Sequence, residues 1–235
     1  MRHDLAHVVI IPDGNRRWAR AKGLRPHQGH EKGFSRMEEL MDACFGERIR
    51  FFSLWGASID NLTKRDAGEI DFLLSYLERR LRDLAHEKRI HENKVRIRVL
   101  GFWEEYVPVS LQNAIREAQE ATASYDSFSF TLFLAYDGKE EMRRAVETIV
   151  QKSDATYESG VSPDTIKKAL LTYELPPVDL LIRTGGEPHL SGGFMMWDVA
   201  DAQLYFSELF FPDFDEGELK KAIRVYRQRE RRFGA

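Results

Sequence analysis

Apolar residues along this chain recur in two rhythms, and their alternation sets out a fold. His7-Val8-Val9-Ile10-Ile11-Pro12 is a short unbroken run, the pattern of a strand buried on both faces. Phe34, Met37, Leu40, Met41 and Phe45 follow at helical spacing and predict a helix over 33–45. Arg50 to Trp55 reads as a second strand. The longest helical pattern runs from about Gly68 to His91, where Ile70, Leu73, Leu74, Leu77, Leu81 and Leu84 form one stripe and charges fill the other faces. Val95 to Leu100 alternates and stops at Gly101, a strand signal. Further helices are expected over 108–123, 138–152, 163–171 and 216–231, and further strands over 128–134 and 178–182. Strand and helix alternate, which predicts an α/β fold with a central, mostly parallel β-sheet surrounded by helices. No repeat, low-complexity stretch or Gly/Ser/Pro linker interrupts the 235 residues, so a single domain over 1–235 is expected.

Composition narrows the function classes. Fifteen Phe, eight Tyr and four Trp can fill a core, so global disorder is excluded. Lys and Arg number 35 against 38 Asp and Glu, a net charge of −3, which argues against a dedicated nucleic-acid binder. Cys44 is the only cysteine; it excludes an intramolecular disulfide and a cysteine-based zinc site, and the expected compartment is the reducing cytoplasm. Near the N-terminus the only apolar run is five residues, Val8 to Pro12, far short of a signal segment or a membrane span. His86 and His91 share a predicted helix at a spacing of five and read as solvated surface. Cys44 reads as buried and inert.

The candidate chemistry follows two strands. The first ends in Pro12-Asp13-Gly14-Asn15-Arg16-Arg17-Trp18. Gly14 lets backbone approach a ligand closely. A helix starting near Arg16 would offer free N–H groups to an anion. Arg16 and Arg17 suit bidentate phosphate contacts, and Asp13 suits a Mg²⁺ that bridges phosphate oxygens. The bland reading is a tight turn with a helix cap. The fifth strand ends in Arg183-Thr184-Gly185-Gly186-Glu187, followed by Ser191-Gly192-Gly193. In a parallel sheet such ends lie side by side, so two of them point to a shared anion site. These residues alone name no substrate.

Taken together, the motifs resemble the cis-prenyltransferase family of the undecaprenyl diphosphate synthase type, over nearly the whole chain. The elements are HVVIIPDGNRRW from His7, Gly29-His30-Glu31-Lys32-Gly33, Ser58-Ile59-Asp60-Asn61 with Lys64, Arg65 and Glu69, then DLLIRTGGE from Asp179, ELFFPDF from Glu208 and RERRFG from Arg229. The resemblance implies a Mg²⁺-dependent enzyme that elongates an allylic diphosphate, commonly farnesyl diphosphate, with isopentenyl diphosphate units in Z geometry. By the same resemblance Asp13 handles the metal and diphosphate, Gly14, Asn15, Arg16 and Arg17 cradle the allylic diphosphate, and Arg65 assists. Trp18 and Asn61 match positions near the reacting carbons, and Ser58 and Arg25 belong to the substrate-binding set. His30 matches a histidine of the diphosphate chemistry, and Arg183, His189 and Ser191 match the isopentenyl diphosphate site. The family is dimeric, so Arg229, Arg231 and Arg232 are expected to reach a neighbouring subunit. The basic C-terminal stretch is also a candidate for peripheral contact with an anionic membrane surface. An apolar tunnel for the growing chain is expected, with the 68–91 stripe, Phe51 and Leu54 as candidates, although most such residues simply pack.

Several positions depart from the family pattern. Pro12 stands where methionine is common, Arg16 where glycine is common, and Arg25 is displaced by one place before Pro26. His189 replaces an arginine, and histidine is a weaker, pH-dependent phosphate partner. Gln203 replaces a glutamate associated with metal; an amide oxygen can ligate Mg²⁺ but brings no charge, and Asp198 and Asp201 are candidates to compensate. These losses keep an alternative open, a non-catalytic partner subunit of such an enzyme. An unrelated phosphate-binding hydrolase would leave the shared elements unexplained.

Overall fold

The computed structural model describes residues 4–156 and 160–229. β1 (His7–Ile11) leads into α1 (Asn15–Ala21) and α2 (Pro26–Gly46). β2 (Phe51–Ala57) is followed by α3 (Ile59–Lys64), α4 (Ala67–His86) and α5 (Lys88–Glu92). β3 (Val95–Leu100), α6 (Trp103–Tyr106), α7 (Val109–Ala121), β4 (Phe128–Leu134), α8 (Gly138–Thr156) and α9 (Pro163–Ala169) come next. β5 (Leu180–Arg183), β6 (Gln203–Phe206), a 3₁₀ turn at Phe211–Asp213 and α10 (Glu216–Gln228) complete the described chain. The fold is α/β. The strands form one six-stranded sheet in the order β3-β4-β2-β1-β5-β6. β1 pairs in parallel with β2 and β5, β3 with β4, and β5 with β6.

The residues divide into two compact units. The first comprises the chain up to Leu54, Val178–Pro188 and the stretch from Ala202 onward; the second comprises Trp55–Pro177 and His189–Asp201. In the first unit every residue of β1 is buried, as a central parallel strand requires. His7 lies in that core with Nε2 2.9 Å from Ser53 Oγ. The Asp179 carboxylate accepts from Ala6 N (2.8 Å) and His7 N (3.1 Å), pinning the start of β5 to the start of β1.

α2 begins at Pro26, seven residues before the expected Gly33. Its first two turns carry no apolar stripe to read. Pro26 supplies the helical φ at the first position, and the Gln28 side chain accepts from Arg25 N (3.0 Å). Two glycines inside this helix would weaken it alone. They are there because α1 packs against it: a Cβ at Gly29 would sit 2.2 Å from Asn15 O, and one at Gly33 2.5 Å from Asn15 Oδ1. Cys44 is buried as expected, and burial pushes its thiol up in pKa.

In the second unit α4 packs against α7. Leu74, Leu77, Leu81, Leu84 and Ala85 are buried, facing Leu111, Ala114, Ile115 and Ala118, whose alanines permit close approach. The expected single helix over 68–91 is two, broken at Glu87, whose backbone is extended. Nothing in local propensity marks that break; side-chain hydrogen bonds hold it. The Glu87 carboxylate accepts from Arg80 (2.9 Å) and Arg89 (2.7 Å), and His91 bonds the Ala85 carbonyl (2.9 Å) and Tyr125 Oη (2.8 Å). His91 is therefore a half-buried, doubly bonded residue rather than solvated surface, whereas His86 is exposed beside Glu117. β6, α3 and α6 are elements the hydrophobic pattern did not announce. β6 is four residues long, alternates half-buried and exposed positions, and lies at the sheet edge.

Candidate active site

Asp13 stands at the carboxyl end of β1, and Arg183 ends the adjacent β5, in register with Ile11. That register brings them together. Arg183 Nη2 lies 3.0 Å from Asp13 Oδ2, and Arg17 Nη2, one turn into α1, lies 3.1 Å from Asp13 Oδ1. Arg17 also reaches Glu187 (3.7 Å) and lies over the Phe210 ring at 5.3 Å. The Arg183 side chain is only 5% exposed, while Asp13 and Arg17 are 32% and 42% exposed. The buried Arg183 side chain is thus paired with a carboxylate whose other side is open to water. A diphosphate arriving here would meet two forked cations already aimed at one carboxylate.

Gly14 joins β1 to α1 with φ +104°, and a Cβ there would lie 2.5 Å from Phe210 Cδ1. The sequence suggests that this glycine clears space for a ligand; the structure gives that space to Phe210. α1 begins at Asn15, and Gly14 supplies no side-chain cap to its first N–H groups. Asn15 Oδ1 is buried and accepts no hydrogen bond. Arg16 is exposed. Trp18 is buried, its Nε1 donating to Asp213 Oδ1 (2.7 Å), so its indole fastens α1 to the 3₁₀ turn. Arg25 is exposed at the start of α2, and His30 is buried within that helix.

Gln203 is not brought to Asp13 within this chain. It pairs in register with Leu180, and Leu180 with Val8, whereas Arg183 pairs with Ile11. Three residues of strand, about 10 Å at the usual rise, separate the amide from the carboxyl end of the sheet. Its Oε1 is buried without a hydrogen-bond partner.

The second unit carries the other matched residues. Ser58 Oγ accepts from Asn61 N (3.0 Å), and Asn61 Oδ1 accepts from Ser58 N (3.4 Å). This reciprocal capping box starts α3. Arg65 faces Glu69 at 3.7 Å. His189 is exposed, and Ser191 begins the turn whose carbonyl accepts from Phe194 N (3.0 Å). Phe194 is fully buried and stacks on Trp55 at 4.8 Å. Asp198 is committed elsewhere: it is buried, paired with Lys167 and bonded by Thr172 Oγ1 (2.6 Å), and burial raises its pKa. Asp201 is exposed.

Residues 11–234 match the family model "Putative undecaprenyl diphosphate synthase". The chain belongs to the cis-prenyltransferase family. It is thus a prenyltransferase of the Z-type polyprenyl diphosphate synthase class. It is 36% identical over 230 residues to the tritrans,polycis-undecaprenyl-diphosphate synthase (geranylgeranyl-diphosphate specific) of Pyrococcus horikoshii, spanning 97% of this chain and 86% of that protein. It is 38% identical over 232 residues to dehydrodolichyl diphosphate synthase 1 of Arabidopsis thaliana, spanning 97% and 75%. Its structure is similar to lavandulyl diphosphate synthase from Lavandula x intermedia in complex with dimethylallyl diphosphate, with a TM-score of 0.92, 30% identity and 98% of both chains covered.

For a cis-prenyltransferase, three residues of this neighbourhood were absent from the sequence-derived set. Thr184 hydrogen-bonds the Asp13 backbone, Phe210 fills the space beside Gly14, and Asp213 holds Trp18. All three lie inside the RTGG and ELFFPDF elements, so the signal was their place in a motif, without a chemistry to single them out.

Proposed function

We propose that this prenyltransferase condenses isopentenyl diphosphate with an allylic diphosphate, with farnesyl diphosphate as primer, to give a Z-polyprenyl diphosphate that serves as a lipid-carrier precursor. The observation that carries this is the convergence of Arg17 and Arg183 on Asp13 at two adjacent strand ends. In the reaction the allylic C–O bond breaks and the diphosphate leaves with the electron pair. The isopentenyl double bond attacks the allylic carbon, and loss of a proton leaves the new double bond.

Negative charge grows on the departing diphosphate, and preorganised cations at that point lower the barrier. By family resemblance Asn15, Arg16 and Arg17 of α1 are assigned to the departing diphosphate, and Arg183, Ser191 and His189 to the second one. Among the described residues no group of three or more His, Cys, Asp or Glu is placed to hold a metal ion. One half-buried carboxylate open to water on one side is a fitting donor for Mg²⁺, which keeps waters and takes its other ligands from phosphate oxygens. Asp13 would hold it, and Mg²⁺ would supply Lewis-acid stabilisation of the leaving diphosphate. Gln203 would need to meet that ion from elsewhere in an assembly, which accords with the homodimer we assign. Arg229 lies at the end of α10, with Nη1 3.4 Å from Leu204 O, while Arg231 and Arg232 fall outside the described residues. No helix among the described residues is long and apolar enough to cross a membrane. We assign a cytoplasmic enzyme with peripheral contact to the membrane that receives its product.

The test is product analysis. The purified chain receives labelled isopentenyl diphosphate, Mg²⁺ and each primer from dimethylallyl to geranylgeranyl diphosphate. Labelled polyprenyl chains, longest and fastest from farnesyl diphosphate, are expected. Preference for the geranylgeranyl primer would correct the primer. No chains from any primer would overturn the catalytic reading in favour of a partner subunit.

A further inference from the structure

Asp13 is held at its backbone as well as at its carboxylate, and the side chain that does so is Thr184. This residue follows Arg183 at the end of β5 and is fully buried. Its Oγ1 accepts from Asp13 N (2.9 Å) and donates to Asp13 O (2.8 Å), while its own N–H donates to Ile11 O (3.3 Å). One hydroxyl therefore holds both peptide groups flanking the Asp13 Cα. Asp13 follows shortly after the last residue of β1, where the ladder to β5 ends. Its remaining backbone bonds are a tight contact to Ile11 O (3.0 Å) and one from Phe211 N to its carbonyl (3.0 Å). Of these groups only the Thr184 hydroxyl engages the N–H and the carbonyl of Asp13 together, while Arg17 and Arg183 are the charged partners of the carboxylate itself. Those partners are the groups that a diphosphate recruits.

We propose that Thr184 is a positioning residue: its hydroxyl fixes the Asp13 backbone so that the carboxylate keeps its place when Arg17 and Arg183 turn to phosphate. This rests on the reading of Asp13 as the residue that handles the diphosphate and its Mg²⁺. A misplacement of about 1 Å at such a group lowers rates by up to ~100-fold. A purely structural threonine would change stability and leave the dependence on Mg²⁺ untouched.

The decisive comparison is Thr184→Ser against Thr184→Ala in the full chain. Both lack the methyl group, so their difference isolates the hydroxyl. Two quantities are read: kcat with farnesyl diphosphate, and the affinity for farnesyl thiolodiphosphate, which cannot readily ionise, measured calorimetrically with Mg²⁺ and with chelator. Thr184→Ser is expected within about twofold of wild type, whereas Thr184→Ala loses ~10-fold or more in kcat and most of the Mg²⁺-dependent gain in affinity. Equal behaviour of the two variants in both readouts would overturn the proposal, as would an alanine variant that is less stable but unchanged in both. Should the alanine variant not fold, Thr184→Val, which keeps the shape of threonine and loses only the hydroxyl, is compared with wild type in the same two readouts. A wild-type chain without turnover would instead count against the proposed function, so the two failures are distinguishable.

Discussion

Gly14 meets two constraints at once, a φ of +104° and the Phe210 ring beside its Cα. Gly23 meets only the first, with φ +66° and open space within 4 Å of where a Cβ would stand. The pair separates strain from crowding. Gly23→Ala should cost about 1 kcal/mol, the ordinary penalty for an L-residue in the left-handed region. Gly14→Ala should cost ~1–3 kcal/mol more from overpacking, read as a lower midpoint in urea unfolding. Residues of this kind are half-legible in a sequence. That Gly14 was needed could be read from its place after a strand; that an aromatic ring from Phe210 claims the space could not, since 196 positions separate them along the chain. Asp13, Arg17 and Arg183 were legible for the opposite reason. Their charges sit directly at strand ends, and parallel pairing leaves few places for those ends to go.

Elements were legible where an apolar face had to be buried, and illegible where polar partners or close packing decided. The strands β1 to β5 and the helices α4, α7, α8 and α10 carry such faces and stand near their expected positions. The early turns of α2 are specified by Pro26 and by two glycines that admit Asn15, none of which produces a stripe. The break at Glu87 depends on Arg80, Arg89 and His91. Caps are local and independent of the site. Asp215 starts α10 by accepting from Glu218 N (3.0 Å). Asp215→Ala should therefore lower stability by about 1 kcal/mol in denaturant titration and leave kcat unchanged.

For the whole molecule, the second unit contains two buried carboxylates whose pKa values burial raises, Glu141 and Asp198. Glu141 accepts from Tyr136 Oη (2.5 Å) and Leu171 N (2.9 Å), which only partly offsets its loss of water. A carboxyl group with a raised folded-state pKa binds its proton more tightly folded than unfolded. Its contribution to stability is full below the unfolded value, about 4.3, and is lost as pH rises through the folded value. Glu141→Gln removes that dependence. The stability difference between wild type and Glu141→Gln should therefore shift against wild type as pH rises from about 4.5 toward neutrality, and a difference flat with pH would refute the assignment.

At the same scale, the sheet has one consequence above all: it brings Asp13, Arg17 and Arg183 to one point, the point to which we assign the diphosphate chemistry. The most direct test measures turnover of wild type and Asp13→Ala with farnesyl diphosphate, labelled isopentenyl diphosphate and Mg²⁺, with circular dichroism confirming that both are folded. Wild type is predicted to give labelled polyprenyl chains, and the variant to lose ~100-fold or more in rate. A folded Asp13→Ala chain that elongates the primer within about threefold of wild type would contradict this, since no comparable catalytic term would then reside at these strand ends.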